Sequence, residues 1–324
     1  MEPIEGLHHI TAVASDPQAN VDFYQRILGQ RLIKTTVNFD DPGTYHLYYA
    51  DASGTPGSVL TFFPWQGIKR GQLGNGEAAA VAYAIPKEAF DFWQDWLARH
   101  DIDYTVEPRF GVEQIIFRDP DGLTLELVPL ESPPDVLSWK EGPIPEKYVI
   151  HGFAGVTLWL TEVEATVKLL TSQLGYTEVG REGRRFRLHS TGTGLGMIVD
   201  LLHRPGAPWG QLGSGSVHHI AFRANDDAEQ GEYRQKLLDS GQHVTPVRDR
   251  QYFHSIYFRE PGGVLFEIAT NGPGFLIDES QGELGHTLRL PPWLEDRRGE
   301  IERHLPPISR SIELVREENA QYSA

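Results

Sequence analysis

Four times along the chain an apolar run leads into an amphipathic stretch, and several short apolar segments follow. The runs begin near His9, Ala80, His151 and His219, a period of about 70 residues that marks an internal repeat. The first amphipathic stretch can be capped by Asp16 with Pro17 at its first position; Val21, Tyr24, Ile27 and Leu28 share a face, and Gly29 ends it. In the second, Pro86 opens a helix carrying Ala89, Trp93, Trp96 and Leu97. The third has a capping box, Thr161 with Glu164, before Val163, Val167, Leu170 and Leu174, and stops at Gly175. In the fourth, Asn225 or Asp226 precedes a more polar helix that closes at Gly241.

The closing segments repeat as well. Residues 116–126 align without gaps on residues 257–267, and in both Pro and Gly mark a turn between two apolar runs. The pattern predicts an α+β fold of four βαβββ units paired into two half-open barrels. The units are expected at 1–70, 71–130, 148–210 and 211–275, with a Pro-rich linker at 131–147 and a tail at 276–324 that forms an extended wrap and one helix. A length of 324 residues agrees with about two compact bodies.

Composition narrows the function. Hydrophobic residues make up 40% and charged residues 23%, so the chain can build ordinary cores. No apolar run reaches the roughly 20 residues of a membrane span, and the N-terminus lacks a signal-peptide pattern, so a cytoplasmic location is expected. Without cysteine there are no disulfides, thiolate ligands or cysteine nucleophiles. A formal charge of -16 argues against nucleic acid and anionic lipid as partners but leaves small molecules open. Assembly into a homo-oligomer also stays open.

The candidate chemistry lies in histidines and one carboxylate. His8 and His9 open one apolar run, His218 and His219 another, and Glu267 sits inside a third. Strand alternation puts His9 and Thr11 on one face and His8 and Ile10 on the other. A glutamate in so apolar a run is costly to bury without a metal or a cation. If the first and fourth units pair, His9, His219 and Glu267 meet, and the other barrel keeps Ala80, His151 and Glu126, one ligand short. If the third and fourth pair, the set is His151, His219 and Glu267, and spacing alone does not decide between them. The glycines of residues 191–196 lack a following helix and suit a hairpin better than a dinucleotide loop, and Trp93 and Trp96 suit a core. No nucleophilic serine elbow is present.

Leu7-His8-His9-Ile10-Thr11, Tyr45-His46-Leu47-Tyr48-Tyr49-Ala50-Asp51, Gly54-Thr55-Pro56-Gly57, Ile198-Val199-Asp200-Leu201-Leu202-His203, His218-His219 and residues 261–267 together resemble the vicinal oxygen chelate superfamily. Within it they are most similar to ring-cleaving hydroquinone and chlorohydroquinone dioxygenases. The resemblance implies Fe(II) held by His9, His219 and Glu267, with His8, Thr11, His218, Arg250 and Tyr257 around it, and a small aromatic substrate reacting with dioxygen. It favours His9 over His151. His46 matches the pattern but is given no role. Glyoxalase-type isomerases of the superfamily use four protein ligands, whereas residues 57–63 offer no acid or amide as a fourth. A metal-dependent isomerase or lyase, and a metal-free binding protein, remain the alternatives.

Overall fold

The computed structural model describes residues 3–192 and 194–309. The first repeat forms β1 (Leu7–Ala14), α1 (Pro17–Val21, continued by a π-helical turn Asp22–Ile27), β2 (Arg31–Asn38), β3 (Asp41–Ala50) and β4 (Val59–Pro64). The second forms β5 (Glu77–Pro86), α2 (Phe90–Arg99), β6 (Tyr104–Arg109), β7 (Val112–Arg118) and β8 (Thr124–Leu130). The third comprises β9 (Phe153–Leu160), α3 (Glu164–Ser172), β10 (Thr177–Glu182), β11 (Arg185–His189) and β12 (Ile198–His203). The fourth comprises β13 (Val217–Ala224), α4 (Asp227–Asp239), β14 (Arg248–Asp249), β15 (Phe253–Arg259) and β16 (Leu265–Pro273), after which short 3-10 turns lead to α5 (Arg298–His304).

These strands make two eight-stranded mixed sheets, β14-β15-β16-β13-β1-β4-β3-β2 and β10-β11-β12-β9-β5-β8-β7-β6. This is the α+β arrangement of four βαβββ units in two half-open barrels. An antiparallel pair joins the two halves of each sheet, β1 with β13 and β5 with β9. Each of these central strands runs parallel to the last strand of its own repeat. They are covered on both faces, which is why β1, β5 and β9 read as nearly continuous apolar runs.

Local expectations meet tertiary structure at the helix starts. Asp16 and Asp226 each cap as expected, accepting from Ala19 N and Glu229 N. The Thr161 capping box does not form: α3 starts later, at Glu164, because the Thr161 hydroxyl is taken by Asn75 Nδ2 at 2.9 Å. Asn75 also donates to the carbonyls of Arg204 and Ala207, both at 3.0 Å, where the connections between repeats cross. Trp93 and Trp96 are buried in the core, and residues 190–197 connect the antiparallel strands β11 and β12.

The helix of one repeat also grips a hairpin turn of the next. The buried Asp119, in the β7–β8 turn, accepts from Leu123 N at 2.8 Å and from Tyr24 OH at 3.0 Å. Glu260, in the β15–β16 turn, accepts from Val264 N at 2.9 Å and from Thr166 on α3. Burial pushes Asp119 up from 3.8 to about 6. The folded protein therefore binds a proton more strongly than the unfolded chain, so stability contributed by this group is full below pH 3.8 and falls as pH rises towards 6. Asp119→Asn, which cannot ionise, is expected to remove on the order of 2–3 kcal/mol of that pH dependence. Urea unfolding measured on both sides of the window checks it, and equal slopes in the two proteins would contradict it.

Candidate metal centre and substrate cavity

The β1–β13 pair carries the site. His9 stands opposite Ala221, and Thr11 opposite His219, so the two histidines are related across the strand pair by its local two-fold about Ile10 and Ile220. Glu267 lies beside Ala221 on β16. The three side chains are buried and their ligand atoms converge within 4.8 Å. His219 Nε2 is 2.9 Å and His9 Nε2 3.4 Å from Glu267 Oε2, and the two Nε2 atoms are 3.4 Å apart. Oε2 nonetheless has no partner in hydrogen-bonding geometry, while Oε1 accepts from Ser255 Oγ. A fully buried carboxylate oxygen facing two imidazole nitrogens fits a divalent cation. Against the upward push of burial, His9 and His219 hold Glu267 well below the usual carboxylate range, so it is ionised.

The neighbouring histidines are closer to the site than simple strand alternation predicts. The β1–β13 register slips between Leu7 and His9 and again between Thr11 and Ala12, which places one irregularity at His8 and the other at His218. Bulges turn side chains out of alternation, and here both rings reach His9 and His219. His8 Nδ1 lies 2.9 Å from His9 Nδ1, and His218 Nδ1 lies 2.7 Å from His219 Nδ1. In each pair the outer ring ties down Nδ1 and leaves the inner Nε2 directed at Glu267. Burial, and next the adjacent imidazole of His9 or His219, pulls His8 and His218 down to about 3.

A cavity of about 470 Å³ opens over the cluster. Its walls include Phe39, His46, Phe63 and Trp65 on one side, and His218, Arg250, Phe253 and Tyr257 on the other. Arg250 Nε donates to Tyr257 OH at 3.1 Å. Burial, and then the negative charge of Glu267, raises the Tyr257 hydroxyl, so it stays protonated. Of the residues expected around the metal, His218, Arg250 and Tyr257 line the cavity, whereas His8 and Thr11 lie behind it.

His151 is elsewhere. It precedes β9, and its Nδ1 contacts Pro134 O at 2.8 Å. The β5–β9 register sets Ala82 against Gly155 where the other sheet sets Thr11 against His219. The counterparts of His9 and His219 are therefore Ala80 and Gly155. A side chain at Gly155 is blocked, since a Cβ there would sit 2.3 Å from Ile198 O. Around this second position Arg109 pairs with Glu126, and Arg185 and Arg187 pair with Asp200. The cavity-like space left there, about 20 Å³, is no larger than a water site.

Several site residues escaped the sequence reading. Thr61 stands beside Thr11 as Glu267 stands beside Ala221, so it holds the position of a fourth ligand. Its hydroxyl is tied instead to Thr11 Oγ1 and to His46 Nε2, both at 2.8 Å, and His46 Nδ1 is tied to Tyr48 OH at 2.8 Å. The repeat offset could have located Thr61. Phe39, Asp40 and Trp65 carry no comparable sequence signal, since a hairpin turn and a strand end are equally served by many residues.

The profile of the Glyoxalase/Bleomycin resistance protein/Dioxygenase superfamily matches residues 6–127 and 152–268. MhqO of Bacillus subtilis (strain 168), provisionally named a ring-cleaving dioxygenase, is 46% identical over 303 residues, covering 94% of this chain and 96% of the relative. The chlorohydroquinone/hydroquinone 1,2-dioxygenase of Sphingobium indicum is 34% identical over 312 residues, covering 93% of this chain and 95% of the relative. A crystal structure of a Bacillus subtilis protein, provisionally described as a dioxygenase, superposes with a TM-score of 0.93 at 45% identity, covering 96% of this chain and 99% of that one. Glyoxalase I from Zea mays, at 15% identity and a TM-score of 0.61 over 82% of this chain and 92% of its own, shares the fold.

Removal of one of three ligands leaves too few groups to define a site. His9→Ala is expected to abolish stoichiometric uptake of a divalent metal, and His151→Ala to retain it. Metal content after dialysis against a trace of free metal decides. The reverse pattern would place the metal elsewhere.

Proposed function

The chain belongs to the Glyoxalase/Bleomycin resistance protein/Dioxygenase superfamily, and we propose that within it this protein is an Fe(II)-dependent ring-cleaving dioxygenase acting on a hydroquinone-type aromatic substrate, chlorinated rings included. The observation that carries the reading is the buried cluster of His9, His219 and Glu267, whose two histidines line an aromatic-walled cavity. A relative with 34% identity bears the name of a chlorohydroquinone/hydroquinone dioxygenase, which supports the substrate class. With Thr61 where a fourth acid would stand, the ligand set favours an oxygenase over a four-ligand isomerase.

Bound iron would supply open coordination positions and the electron chemistry for dioxygen. The chain's own residues bind and orient. Phe63, Trp65 and Phe39 offer flat apolar walls for a single ring and keep water from it. The Arg250 guanidinium, permanently charged, stabilises a phenolate oxygen, and the protonated Tyr257 hydroxyl donates to the same oxygen. His8 and His218, held near 3, are poor bases at neutral pH; their part is to fix the tautomer and angle of His9 and His219. Thr11 keeps the Thr61 hydroxyl turned to His46.

Iron-loaded protein incubated aerobically with hydroquinone is expected to consume one dioxygen per ring, followed with an oxygen electrode. Tyr257→Phe, which removes a proton donor and also the acceptor of Arg250 Nε, is expected to lower kcat about 100-fold or more. Fully metallated protein that consumes no dioxygen with hydroquinones or catechols would overturn the substrate class.

A further inference from the structure

The two sheets hold an internal comparison that bears on Arg250. Arg109 and Glu126 are 17 residues apart and pair directly through Arg109 Nη1. Arg250 precedes Glu267 by the same interval, in the same hairpin of the fourth repeat. The carboxylates also match in register: Glu126 lies across from Ile116 on β7, and Glu267 across from Tyr257 on β15. By this equivalence the arginine of the fourth repeat has a place prepared on Glu267, where it would neutralise the carboxylate that the histidines face.

Arg250 is drawn elsewhere. Its Nε donates to Tyr257 OH at 3.1 Å, and its Nη1 donates to Asp40 Oδ2 at 3.1 Å. Asp40 belongs to the two-residue turn between β2 and β3, at the far edge of the sheet from β14. The ion pair therefore bridges the cavity mouth. In the second repeat the counterpart of Tyr257 is Ile116, which offers no acceptor to its arginine, and Arg109 falls onto Glu126.

We propose that Asp40 is a positioning residue: it holds the Arg250 guanidinium at the cavity mouth and off Glu267, so that Glu267 Oε2 stays available to a divalent metal and the guanidinium stays available to the substrate. Asp40 touches neither metal nor substrate itself; it acts through Arg250. The inference rests on the reading of His9, His219 and Glu267 as metal ligands.

The test is the affinity of the full chain for Zn(II), measured by competition with a chromogenic chelator and independent of turnover. Asp40→Ala is expected to weaken zinc binding about tenfold, the lower end of effects for groups that support metal ligands. Adding Arg250→Ala is expected to restore the affinity to that of Arg250→Ala alone, because the competing guanidinium is then gone. Asp40→Glu, which keeps the charge that attracts the guanidinium, is expected to bind zinc within about twofold of the wild type. Rescue by the second substitution separates positioning from loss of fold, which no second truncation would repair. Unchanged zinc affinity in Asp40→Ala, or no rescue in the double variant, overturns the proposal while leaving the metal site standing. A wild type that takes up no zinc overturns both.

Discussion

The structure depends on one costly act, the burial of an ionised carboxylate in the middle of a sheet. Glu267 is fully enclosed between β13 and β15, in a run whose neighbours Phe266 and Ile268 are core residues. A lone charge there would take up a proton. Two imidazoles reverse that outcome, and the strand pairing that delivers them is the same β1–β13 contact that joins the first repeat to the fourth. Fold and site thus share their central contact. A shift of one residue in that register would turn His9 and His219 away from Glu267 and expose core positions at the same time.

The second sheet shows what the same framework does without that demand. Ala80 and Gly155 replace the histidines, and two acids rather than one face the barrel interior, Glu126 and Asp200. Arginines from the outer strands then move in and neutralise both, and Phe110 closes over the Arg187 guanidinium at 4.0 Å. Charge balance is reached by side chains of the barrel itself, so the barrel fills. In the first sheet, among the described residues, no arginine pairs with Glu267; two imidazoles keep their Nε2 atoms turned to it, and the space above them stays open.

Much of this could be read from the chain because repeats convert sequence offsets into spatial equivalence. The four βαβββ units, the alignment of residues 116–126 on 257–267, and the Asp16 and Asp226 caps depend on local pattern, and local pattern is what a sequence displays. The misreadings come from partners and registers that only the tertiary structure fixes. The Thr161 hydroxyl oxygen accepts from Asn75 of another repeat, and the expected capping box is not made. His8 and His218 leave strict alternation through irregularities that no residue type announces. His151 lies four positions before Gly155, the true counterpart of His219, because a strand start seen in sequence carries no register.

The tail after β16 packs behind the turn between β2 and β3. Lys34 on β2 is fully buried, and its ammonium donates to Phe275 O at 3.2 Å, to Asp278 at 2.6 Å and to Glu279. Glu279 also meets Arg289 at 3.2 Å, so the charges in this apolar setting are compensated. Breaking such a cluster by removing one partner is costly, which makes it a firm anchor for the segment it holds. From that anchor the chain continues to Trp293, whose ring packs edge-on against Phe39 at 5.7 Å, and to Pro306, whose carbonyl accepts from Tyr45 OH at 2.9 Å. Phe39 is a cavity wall and Asp40, beside it, is the partner of Arg250. The turn that frames the mouth is thus contacted on its outer side by the tail and on its inner side by the guanidinium.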